Sequence, residues 1–139
     1  FLASFLFGST LGSCGLFEEE VAVLDRGLQV VPANIWLLAT KAAAYAHLGK
    51  TAEIARIATQ METIRDHRPV SQLALGMVQA ALGNTEAAGK LVEGAIEERE
   101  IWTISFLRQP YFAAILSTSV CDSLLRKMNL PTAVSADPA

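Results

Sequence analysis

His47, His67, Cys14, Cys121 and the acidic run Glu97-Glu98-Arg99-Glu100 are the residues of this chain whose types could carry chemistry. A general base needs a partner within hydrogen-bond reach, and neither isolated histidine is supplied with one by a recognisable motif. Both are read as surface or core filler. Two cysteines are too few for a disulfide scaffold and lack metal-ligand spacing, so both are expected to be small core residues. The acidic run could be imagined as an acid pair or a cation site. Adjacent residues on a helix do not point together, however, and the run reads as a solvated face. No phosphate-cradling loop, zinc spacing or nucleophile elbow is present. The expectation is a non-enzyme with no cofactor and no metal.

Charge and hydropathy narrow the partner. A net charge of −3 without a Lys/Arg cluster leaves no electrostatic footprint for nucleic acid or an anionic membrane. The 52% hydrophobic and 18% charged content is apolar for 139 residues, so part of that surface is expected to meet something outside the chain. Residues 1–17 carry no charged side chain before Glu18. They fall short of the roughly 20 apolar residues needed to span a bilayer and are diluted by Ser, Thr and Gly. Leu11-Gly12-Ser13-Cys14 resembles a lipoprotein processing box, though no basic segment precedes it. A membrane-anchored lipoprotein adaptor acylated at Cys14 therefore stands as an alternative. The start at Phe1 rather than Met suggests a piece of something longer, and the compartment stays open, with the cytoplasm favoured.

The elements that must position these residues follow a fixed period. Cys14-Gly15-Leu16, Leu48-Gly49-Lys50 and Leu82-Gly83-Asn84 are spaced 34 residues apart, which is the mark of a repeat array. Each glycine follows an apolar, small-residue helix and precedes a more charged one. The first hairpin is expected from helices over about 3–14 and 17–30, with Glu18-Glu19-Glu20 suiting the positive end of the second. Pro32 closes it. The second uses Ile35 to Leu48 and about 52–64. In the third, Pro69 stands at or near the start of a helix through Leu82, and a return helix follows over 85–98. Gly8, Gly27, Gly76, Gly89 and Gly94 fall inside these helices, at a summed propensity cost of about 4 to 5 kcal/mol. Gly8, Ala42 and Gly76 share a phase, as do Gly27, Met61 and Ala95. Close helix crossing accounts for Gly8, Gly27 and Gly76. Gly89 and Gly94 have no such account.

These residues resemble the tetratricopeptide repeat family. Gly8, Leu11, Gly15, Phe17, Leu24 and Pro32 match its landmarks in the first unit, Ala42, Tyr45 and Gly49 in the second, and Leu75, Gly76, Gly83, Ala88 and Ala95 in the third. Glu20 and Ile54 depart from a preferred alanine, Ser4 and Gln72 from a preferred large residue, and the second unit lacks its proline. The resemblance implies an all-α fold, a right-handed α-α superhelix of three helix hairpins (1–34, 35–68, 69–100), capping helices over 101–131 and a flexible tail over 132–139. Pro110-Tyr111-Phe112, Ile115-Leu116 and Leu124 to Pro131 are similar to the closing segment of bacterial regulatory proteins, in which such arrays follow a kinase, cyclase or winged-helix domain. Cys121 stands where an aromatic is usual.

What the resemblance implies about function is protein binding. It places Leu2, Phe5, Ser9, Trp36, Ala39, Ala43, Val70, Leu73 and Met77 on the concave wall. None is a Lys, Arg or Asn that could clamp a terminal carboxylate, so an apolar peptide or amphipathic helix is the expected partner, with Trp36, Leu73 and Met77 as anchors. The wall could equally be filled by the chain's own tail. Trp102, Phe106, Leu107, Phe112, Ile115, Leu116, Leu124, Leu125 and Met128 are expected to lid the last hairpin, since a stacked array leaves its final face uncovered. Leu2, Phe5 and Leu6 are expected to be bare, inviting upstream repeats or a homo-oligomer through the N-terminal helices.

Overall fold

In the computed structural model, residues 1–132 are described, apart from the side chains at positions 110, 111 and 113. Gly15, Gly49 and Gly83 all have left-handed backbones, with φ of 76°, 68° and 83°. Each ends a helix in the same way. The amide after the glycine bonds a carbonyl five residues back, Leu16 N to Leu11 O, Lys50 N to Tyr45 O and Asn84 N to Gln79 O, at 2.9 to 3.0 Å. Only glycine takes this conformation without a Cβ penalty, so the repeat glycines reverse the chain at equivalent bends.

The helices between these bends are α1 (Leu2–Ser13), α2 (Phe17–Val30), α3 (Ile35–His47), α4 (Thr51–Arg65), α5 (Gln72–Ala81) and α6 (Thr85–Glu97). Three shorter ones follow: α7 (Thr103–Leu107), α8 (Pro110–Leu116) and α9 (Thr118–Lys127). Strands are absent among the described residues. Consecutive helices pair as α1 with α2, α3 with α4 and α5 with α6, and α1, α3 and α5 touch in succession. The result is a helical-repeat architecture.

Small residues set the helix separations. A Cβ on Gly8 would lie 2.9 Å from Leu24, and one on Gly76 would lie 2.9 Å from Val92, the same contact displaced by 68 residues. A Cβ on Gly27 would lie 2.8 Å from both Leu37 and Ser4, so α1 and α3 both approach α2 closely at this point. The two glycines without an account also have neighbours. Gly94 makes room for the Gln72 side chain, and Gly89 faces Val120 of α9 at 3.4 Å.

Pro69 stands near the start of α5 but outside it; Ser71 is the N-cap and accepts from Ala74 N at 3.1 Å. The Glu97–Glu100 run is not simply a solvated face. Glu100 is half-buried, accepts from Ser71 Oγ and from Gln72 N at 2.8 Å, and Glu98 accepts from Gln72 Nε2 at 2.6 Å. A carboxylate suits the unpaired amides and positive end of α5. The cysteines also divide: Cys121 is buried as expected, whereas Cys14 is exposed at the end of α1. The tail expected over 132–139 lies, from residue 133 on, outside the described residues.

A candidate interaction groove

The residues expected to form the wall lie on α1, α3 and α5, and these helices touch in succession. Asn34 fixes the start of α3 by accepting from Trp36 N and Leu37 N, both at 3.1 Å. This cap orients the turn that carries Trp36. Phe5 of α1 meets the Trp36 ring edge-on at 6.3 Å, so adjacent hairpins join their aromatic residues across the wall.

The wall is not open. α8 runs against α1, α3, α5 and α6, and α7 joins it. Phe5 also contacts Trp102 at 5.7 Å and Phe106 at 6.0 Å, and Phe106 meets Phe112 at 5.7 Å. Phe112 and Leu116 of α8 are fully buried. Ala39 and Ala43 of α3 are fully buried as well, and α8 packs against α3. The C-terminal helices therefore lie along the array's first helices as well as over its last pair, a wider reach than the lid expected from sequence.

Of the nine wall residues, Phe5, Ser9, Ala39, Ala43, Leu73 and Met77 are buried, Trp36 and Val70 are half-buried, and Leu2 is exposed. Phe5, expected to be bare, is 3% exposed because Trp102 and Phe106 cover it. Leu2 and Leu6 remain bare, each 49% exposed. Ser9 Oγ and Gln109 Oε1 are buried without a hydrogen-bond partner.

Glu20 lies in the first turn of α2 as expected, beside Glu18 and Glu19, which are exposed. Unlike them it is fully buried, and neither carboxylate oxygen has a hydrogen-bond partner. It fits only because Gly12 has no side chain: a Cβ there would lie 2.5 Å from Glu20 Oε2. Burial pushes its pKa up to about 8, so the neutral acid is the form that packs between α1 and α2. Thr40 Oγ1 of α3 is likewise buried without a partner.

Other chemistry is sparse. A cleft of about 490 Å³ between α2, α3 and α4 has Lys41 and Tyr45 in its lining. Lys41 bonds Asp25 at 2.5 Å and lies 5.3 Å from the Tyr45 ring centre. Burial opposes its charge, but the Asp25 hydrogen bond and charge outweigh that and hold its pKa above the usual lysine value. His47 stacks on Phe17 at 4.3 Å, and His67 Nδ1 lies 2.8 Å from Thr63 O. Among the described residues no three His, Cys, Asp or Glu side chains gather as a metal set, and no helix is long and apolar enough to cross a membrane. Comparison of the chain with protein-family models, with curated proteins and with solved structures returned no match.

Proposed function

We propose that the chain is a tetratricopeptide-type, non-catalytic protein-interaction module whose apolar first-helix wall takes a helix of a partner. The observation that carries this reading is the wall itself. Ala39, Ala43, Leu73 and Met77 are fully buried, and the short apolar helix α8 packs against α3 and α5, the helices that carry them. A surface that buries Phe112 and Leu116 of its own chain has the shape and chemistry to bury equivalent residues of another. The 34-residue glycine period, with the Gly8–Leu24 contact repeated at Gly76–Val92, supports the family part of the reading. The tail's likeness to the closing segment of bacterial regulators supports a place within a larger signalling or transcriptional protein.

Partner and α8 compete for one surface in this scheme. Phe112→Ala, which weakens the α8 seat, is expected to increase partner recovery in a pull-down. Adding Trp36→Ala to that variant is expected to abolish the gain. Equal recovery with and without Trp36, in proteins of equal helicity by circular dichroism, would count against the groove.

A further inference from the structure

We propose that α8 is a strap that lifts off α1, α3 and α5 while α7 and α9 stay seated, turning at Ser117, and that this movement sets how often the wall is open. The second half rests on the wall being a binding surface; the first does not.

Backbone conformation is the first support. Among the described residues, the non-glycine positions with a positive φ are Arg99, Ser117 and Asn129, and all three lie after α6. Arg99 and Asn129 end α6 and α9 with the bond that also closes the glycine bends, from Glu100 N to Ala95 O and from Leu130 N to Leu125 O, both at 2.9 Å. Ser117 is different. It is the single residue between α8 and α9, and its φ of 85° with ψ of 127° lies outside the left-handed helical region, where L residues are rarely found. Such a conformation persists only while its surroundings over-determine it, so lifting α8 releases strain at Ser117.

Attachment is the second support. The described side chains of α8, Phe112, Ala114, Ile115 and Leu116, are apolar and hold it by packing. At its N-cap Gln109 makes no side-chain cap bond, and its Oε1 is buried without a hydrogen-bond partner, a missing bond that water supplies once the helix lifts. The flanking helices have anchors of their own. Phe106 of α7 packs on Phe5 of α1, as does Trp102 just before it, and Thr103 Oγ1 donates to Glu100 O at 2.9 Å. In α9, Lys127 pairs with Glu93 of α6, and Val120 lies 3.4 Å from where a Cβ on Gly89, also of α6, would stand. Lifting α8 thus costs its own apolar contacts, including that of Phe112 with Phe106, and breaks none of these anchors. A wall open for a fraction of the time binds with an affinity reduced by that fraction, so whatever seats α8 more firmly closes the wall.

Amide hydrogen exchange of the full 139-residue chain, with no partner added, tests the strap. The amides at 114–116 are expected to exchange at least about tenfold faster than those of α9 and α5. Ser117→Gly, which takes the same backbone without strain, is expected to slow α8 by about three- to tenfold and to leave α5 and α9 unchanged. Ser117→Ala keeps the strain and should match the wild type. Gln109→Met, which removes the orphaned oxygen, should also slow α8. Unchanged helicity by circular dichroism verifies each fold. The sign separates a strap from a plain linker, because glycine at an unstrained position loosens the chain. Faster exchange of α8 in Ser117→Gly, equal protection of α8 and α9, or release of α7, α8 and α9 as one unit would overturn the proposal. A fluorescein-labelled peptide of residues 109–117 reads the wall by anisotropy. It should bind Ser117→Gly about three- to tenfold more weakly than the wild type, by the same release of strain. Equal binding to the two overturns the regulatory half. A peptide that fails to bind even the Phe112→Ala protein overturns the reading of the wall, and the regulatory half with it, whatever the exchange shows.

Discussion

Glu20 makes the stability of this protein depend on pH in the direction opposite to that of an ordinary paired carboxylate. The folded chain holds the proton more tightly than the unfolded chain does, with a pKa raised from 4.5 to about 8. Its contribution is therefore fully present below about pH 4.5 and is lost as pH rises toward 8. At about 1.4 kcal/mol per pH unit, the loss reaches about 3 kcal/mol at pH 7 and about 5 kcal/mol above pH 8. That is comparable to the whole stability of a small domain. Nothing described nearby supplies a compensating cation: α1 carries no charge, and Lys41 of α3 is held by Asp25. Glu18 and Glu19 on the same helix are solvent-exposed carboxylates and can only add repulsion. Urea unfolding of the wild type between pH 5 and 8 should thus show a falling midpoint, whereas Glu20→Gln, which cannot titrate, should be nearly flat over this range. Gly12→Ala supplies an independent check on the geometry. Its Cβ would lie 2.5 Å from Glu20 Oε2, so it should destabilise the wild type. In a Glu20→Ala background the same change should be neutral, or stabilising by up to about 1 kcal/mol through helix propensity. Parallel pH profiles for wild type and Glu20→Gln, or additive effects of Gly12→Ala and Glu20→Ala, would refute the buried-acid account.

Two further outcomes follow from backbone and burial. Gly83→Ala should cost about 1 to 2 kcal/mol, because φ there is +83° and an L side chain is strained. Gly89→Ala meets only Val120 at 3.4 Å inside a regular helix, and should stabilise by about 0.5 to 1 kcal/mol; chemical denaturation compares the two directly. A thiol reagent at pH 8 should modify Cys14 in the native protein and reach Cys121 only on unfolding. Burial, and then the neighbouring Asp122, push the Cys121 thiol up to about 11, so two equally fast thiols would contradict its placement.

The parts legible in sequence were those governed by local rules. Gly15, Gly49 and Gly83 stand where the chain must turn left-handed, a demand on backbone that a single residue can meet or fail. The small-residue columns were readable too, because Gly8, Gly27 and Gly76 sit at helical phases where only a missing Cβ lets a neighbour such as Leu24 or Leu37 approach. An all-helical, repeat-like architecture, with further helices after the third glycine bend, followed from the period and the apolar pattern.

Tertiary structure alone decided which apolar surface covers which. Periodicity shows that α1, α3 and α5 share an apolar face, but the tail has no period. Its seat on those helices depends on the fit of Phe5 with Trp102, Phe106 and Phe112, which lie about a hundred residues further along the chain. The burial of Glu20 was not legible for a related reason. Its type and first-turn position point to solvent, and only the packing of Gly12 against it shows that the carboxyl lies inside. Glu100 joined the cap of α5 from 29 residues away, a partnership no local pattern carries. Backbone turns and helix phases are set by neighbours along the chain; burial of an individual side chain is set by whatever segment folds onto it.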